Sequence, residues 1–203
     1  MLIHNRMENS AANGPGNRAV IWTQGCRGMN CPGCWNPDTH HFDRTTETTV
    51  FSLVDWVLGI PGIDGVTFSG GEPFQQAGEL YSFCTLVKLR RPDFSIGAFT
   101  GYTLKQLNEG RWRWLGPGDA WREGCSSVAD GILRTMDFIV AGKYVETLTC
   151  EDKPLCGSRN QQVHPLSKRY SAADLTSNVV EMIIDPDTGV VQVSGFPSDA
   201  DHL

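Results

Sequence analysis

Residues 65–92 read GVTFSGGEPFQQAGELYSFCTLVKLRRP, and the fold turns on how they are read. Gly65 to Ser69 is a short, largely apolar run closed by Gly70-Gly71, which predicts a buried strand ending in a turn. From Gln75 to Arg91 the period changes. Ala77, Leu80, Phe83, Cys84 and Val87 recur at spacings of three and four, so this stretch predicts a helix with one buried face, stopped by Pro92. Working outward, Ala19 to Gln24 (AVIWTQ) predicts a strand ending at Gly25. Thr48 or Thr49 caps a helix through Leu58, with Val50, Leu53, Val54 and Val57 on one face. Phe94 to Phe99 and Met136 to Val140 predict two more strands, with a short helix over Leu104 to Leu107. Strands alternating with helices imply an α/β fold with a parallel sheet and right-handed crossovers.

Two regions break the rhythm. Residues 110–125 place Gly110, Gly116, Pro117 and Gly118 among Trp112, Trp114 and Trp121, which predicts an ordered loop insertion. Residues 179–195, VVEMIIDPDTGVVQVSG, predict a hairpin turning at Asp185 to Gly189. The whole chain, 1–203, is expected to form a single domain.

Composition narrows the function. Apolar residues make up 40% and charged residues 20% of the chain, without a long charge block, which argues against disorder. Seventeen Lys and Arg against 23 Asp and Glu give a net charge of -6, so a dedicated nucleic-acid binder with a basic stripe is not expected. No apolar run is long enough to span a membrane, and the first residues hold no apolar secretory segment. A cytoplasmic protein without membrane contact is the expectation. Seven cysteines fit metal or redox chemistry better than a disulfide framework.

Cys26, Cys31 and Cys34 have the spacing C-x4-C-x2-C directly after the first predicted strand. Pro32 and Gly33 supply a tight turn that brings two sulfurs to one side. Three thiolates suit zinc, with His40 or His41 as a fourth ligand, or an iron–sulfur cluster with one iron left open. The FSGGEP segment, Phe68 to Pro73, sits at the next strand end. In α/β proteins ligand-binding residues gather at such ends, so both segments are expected on one rim. Two glycines let a ligand approach the backbone, and Glu72 adds a carboxylate. Cys84 reads as core; Cys125, Cys150 and Cys156 read as thiols without an auxiliary metal; His40, His41 and His164 read as structural or surface side chains once the cysteines hold the metal.

The triple-cysteine loop followed by Gly70-Gly71-Glu72 resembles the radical S-adenosylmethionine superfamily. The ordered set NGPGNR (13–18), QGC…CPGCWNP (24–37), FTGYTL (99–104), FIVAGKYV (138–145) and GSRNQQVH (157–164) is similar to the glycyl-radical activases that serve anaerobic ribonucleotide reductase. The matching core is about 13–164, with a C-terminal extension over 165–203. The resemblance implies a partial, open TIM-like β/α barrel with the C-terminal β-hairpin appended. It implies Cys26, Cys31 and Cys34 as ligands of a 4Fe–4S cluster, with S-adenosylmethionine on the fourth iron. It makes Trp35, Gly70, Gly71 and Glu72 cofactor contacts, Trp35 near the adenine and Gly70 to Glu72 at the methionine amine; Gly33 and Cys34 beside Trp35, and Thr100 on the same rim, are also expected to be cofactor-binding. The cofactor is then cleaved reductively to a 5′-deoxyadenosyl radical, which takes hydrogen from a glycine of a partner protein. No catalytic side chain is required beyond the cluster and cofactor.

A flavodoxin or ferredoxin is implied as electron donor. The alternatives are a radical enzyme acting on a ribosomal peptide or small molecule, and a zinc-stabilised binding module. Three departures from the family pattern stand out. Its usual loop is C-x3-C-x2-C, one residue shorter, and Ala141 replaces an acidic residue. The tryptophan-rich insertion and C-terminal hairpin exceed the minimal pattern and are read as covering the mouth of the site or forming a partner surface. Thr100, Gly101 and Tyr102 end the third predicted strand and are read as cofactor-pocket lining or as a turn capped by Thr103. Asp137 and Lys143 are read as cofactor contacts or solvated strand ends, and Arg159, Asn160 and Gln161 as loop structure or partner contact.

Overall fold

The computed structural model describes residues 1–29, 31–43, 47–176, 179–184, 189 and 191–195. A six-stranded sheet runs in the order β1 (Ile3–Ser10), β2 (Arg18–Thr23), β3 (Gly65–Gly70), β4 (Ser95–Thr100), β7 (Phe138–Ala141), β8 (Gln162–Pro165). Strands β2, β3, β4 and β7 are mutually parallel, while β1 and β8 pair antiparallel on the two edges. The expected mixed α/β architecture with a mostly parallel centre is therefore present. Because the four central strands share a direction, Thr23, Gly70, Thr100 and Ala141 end at one rim.

Alternation along the strands separates two faces. Ile21, Val66, Phe68, Ile96, Ala98 and Ile139 belong to the main core with α1 (Val50–Gly59), α2 (Ala77–Arg90) and α4 (Ser126–Leu133). The helices contribute Leu53, Val54 and Val57; Leu80, Phe83, Cys84 and Val87; and Ala129 and Ile132. The periodicity of α2 thus does what it predicted, and Cys84 is core. On the opposite face Val20 and Trp22 pack with Met7, and Phe138 and Val140 pack with Leu155 and Leu175. Arg18 lies here too, wholly buried. Its guanidinium donates to Thr67 Oγ1 at 2.7 Å, Val66 O at 2.8 Å and Ser95 Oγ at 3.1 Å, over the Phe138 ring. Burial lowers its pKa to about 10.

The helix starts have visible causes, and that of α2 differs from expectation. Helix α1 starts at Val50 because Thr49 is its N-cap, accepting from Ser52 N. Helix α2 starts at Ala77, behind a helical turn over Pro73–Gln76. The short helix α3 (Leu104–Asn108) is held by a capping box between Thr103 and Gln106. The insertion is more than a loop: β5 (Arg113–Leu115) and β6 (Trp121–Glu123) pair antiparallel. Trp112 is buried against Phe74, with ring centroids 6.0 Å apart. The C-terminal extension forms the antiparallel pair β9 (Val180–Ile184) and β10 (Val191–Gly195); the expected turn residues 185–188 lie outside the described residues. Strands β1 and β8 and helix α4 were not expected from the sequence.

Candidate active site

The cysteine loop leaves β2 at Thr23 and is tied down from both sides. Gly71 N donates to Thr23 O at 2.8 Å and Glu72 N to Gly25 O at 2.9 Å, so the Gly-Gly-Glu turn is laced to the approach to Cys26. Gly71 must be glycine. A Cβ there would meet Gly25 O at 2.3 Å. Gly25 adopts φ +107°, and a Cβ on it would strike the Phe42 ring at 2.3 Å. Cys26 N donates to His40 O at 3.0 Å, and Cys34 N to Cys31 O at 3.3 Å in the Pro32-Gly33 turn.

Three glutamines that the sequence reading did not single out complete the clamp. Gln75 accepts from Arg27 N and donates to Arg27 O, both at 2.7 Å, gripping the residue after Cys26. Gln76 accepts from Leu2 N at 2.6 Å and donates to Leu2 O at 2.9 Å and Gln24 O at 3.0 Å. Gln24 Nε2 donates to Asp38 O at 3.1 Å and also to His41 O. The available signal was the pair of glutamines at the start of an otherwise amphipathic helix, where Gln75 and Gln76 are buried.

The rim opens into a cavity of about 270 Å³ lined by Cys26, Cys31, Cys34, Trp35, Gly70, Gly71, Glu72 and Thr100, among others. Most of the expected site residues are therefore brought together. Gly33 stands just outside, in the turn beside Glu146, whose carboxylate approaches to 2.6 Å of the place a Gly33 Cβ would take. Trp35 packs against Tyr144 at 5.7 Å between centroids, and over Gly157. Gln161 holds this wall, accepting from Gly157 N at 2.8 Å and donating to Gly142 O at 3.0 Å. Val193, Ser194 and Gly195 of β10 also line the cavity. Asn13 Nδ2 donates to Ser194 Oγ at 2.6 Å, and Glu181 accepts from Ser10 Oγ at 2.6 Å and Ala11 N at 2.7 Å. The hairpin beyond the matching core is thus part of the pocket.

Glu72 is 1% exposed. Its Oε1 accepts from Phe74 N at 2.9 Å and Thr100 Oγ1 at 2.8 Å, and its Oε2 accepts from Gly101 N at 2.7 Å. Burial outweighs these donors and pushes its pKa up to about 7. Burial likewise raises the Cys26 and Cys31 thiols; Glu72 and the neighbouring thiols add to the rise, while Lys143 opposes it. Thiols held in this environment ionise when a cation compensates them, and three sulfur donors lining one cavity fit an iron–sulfur cluster. Among the described residues no three His, Cys, Asp or Glu side chains converge as a ready-made single-ion site.

One expectation is corrected. Asp137 meets neither the cofactor cavity nor open solvent. It starts at the opposite end of β7, buried, where it pairs with Lys88 at 3.1 Å and accepts from Ile96 N at 3.0 Å and Ser167 Oγ at 2.7 Å. These partners hold its pKa below the ordinary carboxylate value despite burial. Arg159 is exposed and pairs with Asp152 at 3.0 Å. Tyr102, Lys143 and Asn160 line a second cavity on the other side of the cysteine loop, whereas Gly101 borders both. His40 lines the first cavity and His41 is exposed. Cys125 is exposed, and Cys150 and Cys156 are buried.

Residues 12–164 match a family profile described as a 4Fe-4S single cluster domain, and the chain belongs to that family. It is 26% identical over 173 residues to the anaerobic ribonucleoside-triphosphate reductase-activating protein of Vibrio cholerae, covering 81% of this chain and 97% of that one. The protein of the same name from Enterobacteria phage T4 is 30% identical over 74% of this chain and 85% of its own. The pyruvate formate-lyase-activating enzyme of Listeria monocytogenes is 34% identical over 42% of this chain and 36% of its own. The resemblance to the radical S-adenosylmethionine glycyl-radical activases is borne out by these relatives, and a 4Fe–4S cluster and S-adenosylmethionine are the cofactors of that class. No helix among the described residues is long and apolar enough to cross a membrane.

Proposed function

We propose that the protein is a radical S-adenosylmethionine enzyme that installs a glycyl radical on a partner of the anaerobic ribonucleotide reductase type. The observation that carries this reading is one cavity lined by Cys26, Cys31 and Cys34 together with Gly70, Gly71 and Glu72. Cys26, Cys31 and Cys34 would each hold one iron. When bound, the cluster and S-adenosylmethionine supply a one-electron reductive cleavage of the sulfonium, giving methionine and a 5′-deoxyadenosyl radical that takes hydrogen from glycine.

The chain's own residues bind, orient and shield. Gly70 and Gly71 admit the methionine amine to the backbone. Glu72 has most of its acceptor capacity engaged by Phe74, Thr100 and Gly101, so it fixes the turn as well as adding charge. Trp35, with Gly33 and Cys34 before it, offers an aromatic surface for adenine, backed by Tyr144. Val193, Ser194 and Gly195 of β10 add to the wall of the same cavity.

The four parallel strands are read as an open, partial β/α barrel, and residues 1–203 as a single domain in which the hairpin serves the pocket. A cytosolic setting and a flavodoxin or ferredoxin donor belong to the same proposal. Anaerobic reconstitution with iron and sulfide, followed by dithionite and S-adenosylmethionine, tests it. 5′-Deoxyadenosine is expected from the wild type and from Cys125→Ser, and none from Cys31→Ser. Iron-loaded protein that forms no 5′-deoxyadenosine would contradict the reading.

A further inference from the structure

We infer that the second cavity, on the outer side of the cysteine loop, is the docking surface for an acidic one-electron carrier; the inference rests on the function proposed above. Arg27, Arg111, Arg113 and Lys143 line this cavity, and Glu123 is the one acid among its described lining residues. Arg113 is paired with Glu123 at 3.0 Å, and Arg111 donates to Glu109 at 2.7 Å. Arg27 and Lys143 pair with no described carboxylate, so two positive charges remain in excess. They do so on a chain whose net charge is -6. A local cationic concavity on an acidic protein concentrates field lines and attracts an anionic partner.

Its place in the fold says which anion. Arg27, Gly28 and Met29 lie between Cys26 and Cys31, and Met29 borders both cavities. One thickness of the cysteine loop therefore separates the cationic surface from the thiols. The tryptophan insertion builds the other side: Trp121 lies under the Arg27 guanidinium at 5.3 Å and edge-on to Phe42 at 5.4 Å, and Tyr102 Oη donates to Arg113 O at 3.3 Å. A surface backing directly on the cluster loop suits electron delivery, while the first cavity stays free for S-adenosylmethionine and the glycine. In this step one electron leaves the reduced flavin or iron–sulfur centre of the donor, oxidising it by one, and the cluster is reduced by one. No bond or proton need move.

The test uses the full-length reconstituted protein and two reductants, reduced flavodoxin and photoreduced deazariboflavin, a small neutral donor that needs no docking. Cluster reduction is followed by stopped flow at about 10 mM and about 200 mM salt, a range over which the Debye length shortens from roughly 30 Å to under 10 Å. The wild-type rate with flavodoxin is expected to fall as salt rises. In Arg111→Glu combined with Arg113→Glu, two lining cations that do not act on the thiols, it is expected to drop roughly tenfold or more at low salt and to lose its salt dependence, with the deazariboflavin rate unchanged. Arg111→Gln, the milder change, is expected to show a smaller loss in the same direction. A flavodoxin rate that the reversals leave unchanged would overturn the inference. So would equal losses with both reductants, because the cations would then act on the cluster itself. A wild-type protein that deazariboflavin cannot reduce would overturn the functional reading, and the docking surface with it.

Discussion

Glu72 shows how a single side chain sets the rim. Its carboxylate joins the end of β3 to the end of β4 through Thr100 Oγ1 and Gly101 N, and caps the turn before α2 through Phe74 N. Burial still raises its pKa to about 7, above the ordinary 4.5. The folded protein therefore favours the protonated form. Stability from this group is full below about pH 4.5 and is lost as pH rises through about 7. In urea titrations of the cluster-free protein, stability is expected to decline between pH 5 and pH 8, by on the order of 3 kcal/mol at most. Glu72→Gln should flatten that decline while lowering stability at pH 5, because an amide cannot accept from all three donors. Equal slopes in both proteins would contradict the assignment. Asp137 has the opposite sign: its lowered pKa gives stability that is present above the ordinary carboxylate range and lost below it, so the two windows separate.

At the scale of elements, the strands and helices that bury one clear face were legible. Strand β3, helix α2 and the rim between them follow from GVTFSGG and from the spacing of Ala77, Leu80, Phe83, Cys84 and Val87. Edge strands were not. In β1, IHNRMENS, only Ile3, Met7 and Ser10 are buried, and β8 carries Gln162 and Pro165, so neither shows an apolar alternation. Helix α4 escaped because its eight residues contain Asp130 and Gly131 and bury only Ala129 and Ile132. The cysteines and glycines of the site were readable from spacing. The glutamine clamps were not, because an amide bonded to backbone leaves no sequence period.

The β9–β10 hairpin was readable as an element but not as a pocket wall. That role depends on Glu181 reaching Ser10 and Ala11, 171 and 170 residues away in sequence. It leaves Met182, Ile184, Val191 and Val193 70%, 65%, 52% and 54% exposed, so packing alone does not hold it. Glu181→Ala is expected to loosen the hairpin and weaken S-adenosylmethionine binding roughly tenfold, as two lost charge-assisted hydrogen bonds would allow. Iron content should stay the same. Equilibrium dialysis with the reconstituted protein reads both, and unchanged affinity would remove the hairpin from the site.

Taken whole, the molecule is polarised along its strands. Helices cover one sheet face, Arg18 closes the other face toward the amino ends of the strands, and the carboxyl ends carry the cysteine loop, the Gly-Gly-Glu turn and Thr100. This layout gathers residues from Cys26 to Gly195 into one cavity. Three thiolates are expected to hold a cluster with one iron open to S-adenosylmethionine. Low-temperature EPR of the anaerobically reconstituted, reduced protein, with and without that cofactor, tests it most directly. The account predicts a four-iron signal whose shape changes when S-adenosylmethionine is added. A protein that takes up zinc, gives no iron–sulfur signal and ignores the cofactor would contradict it.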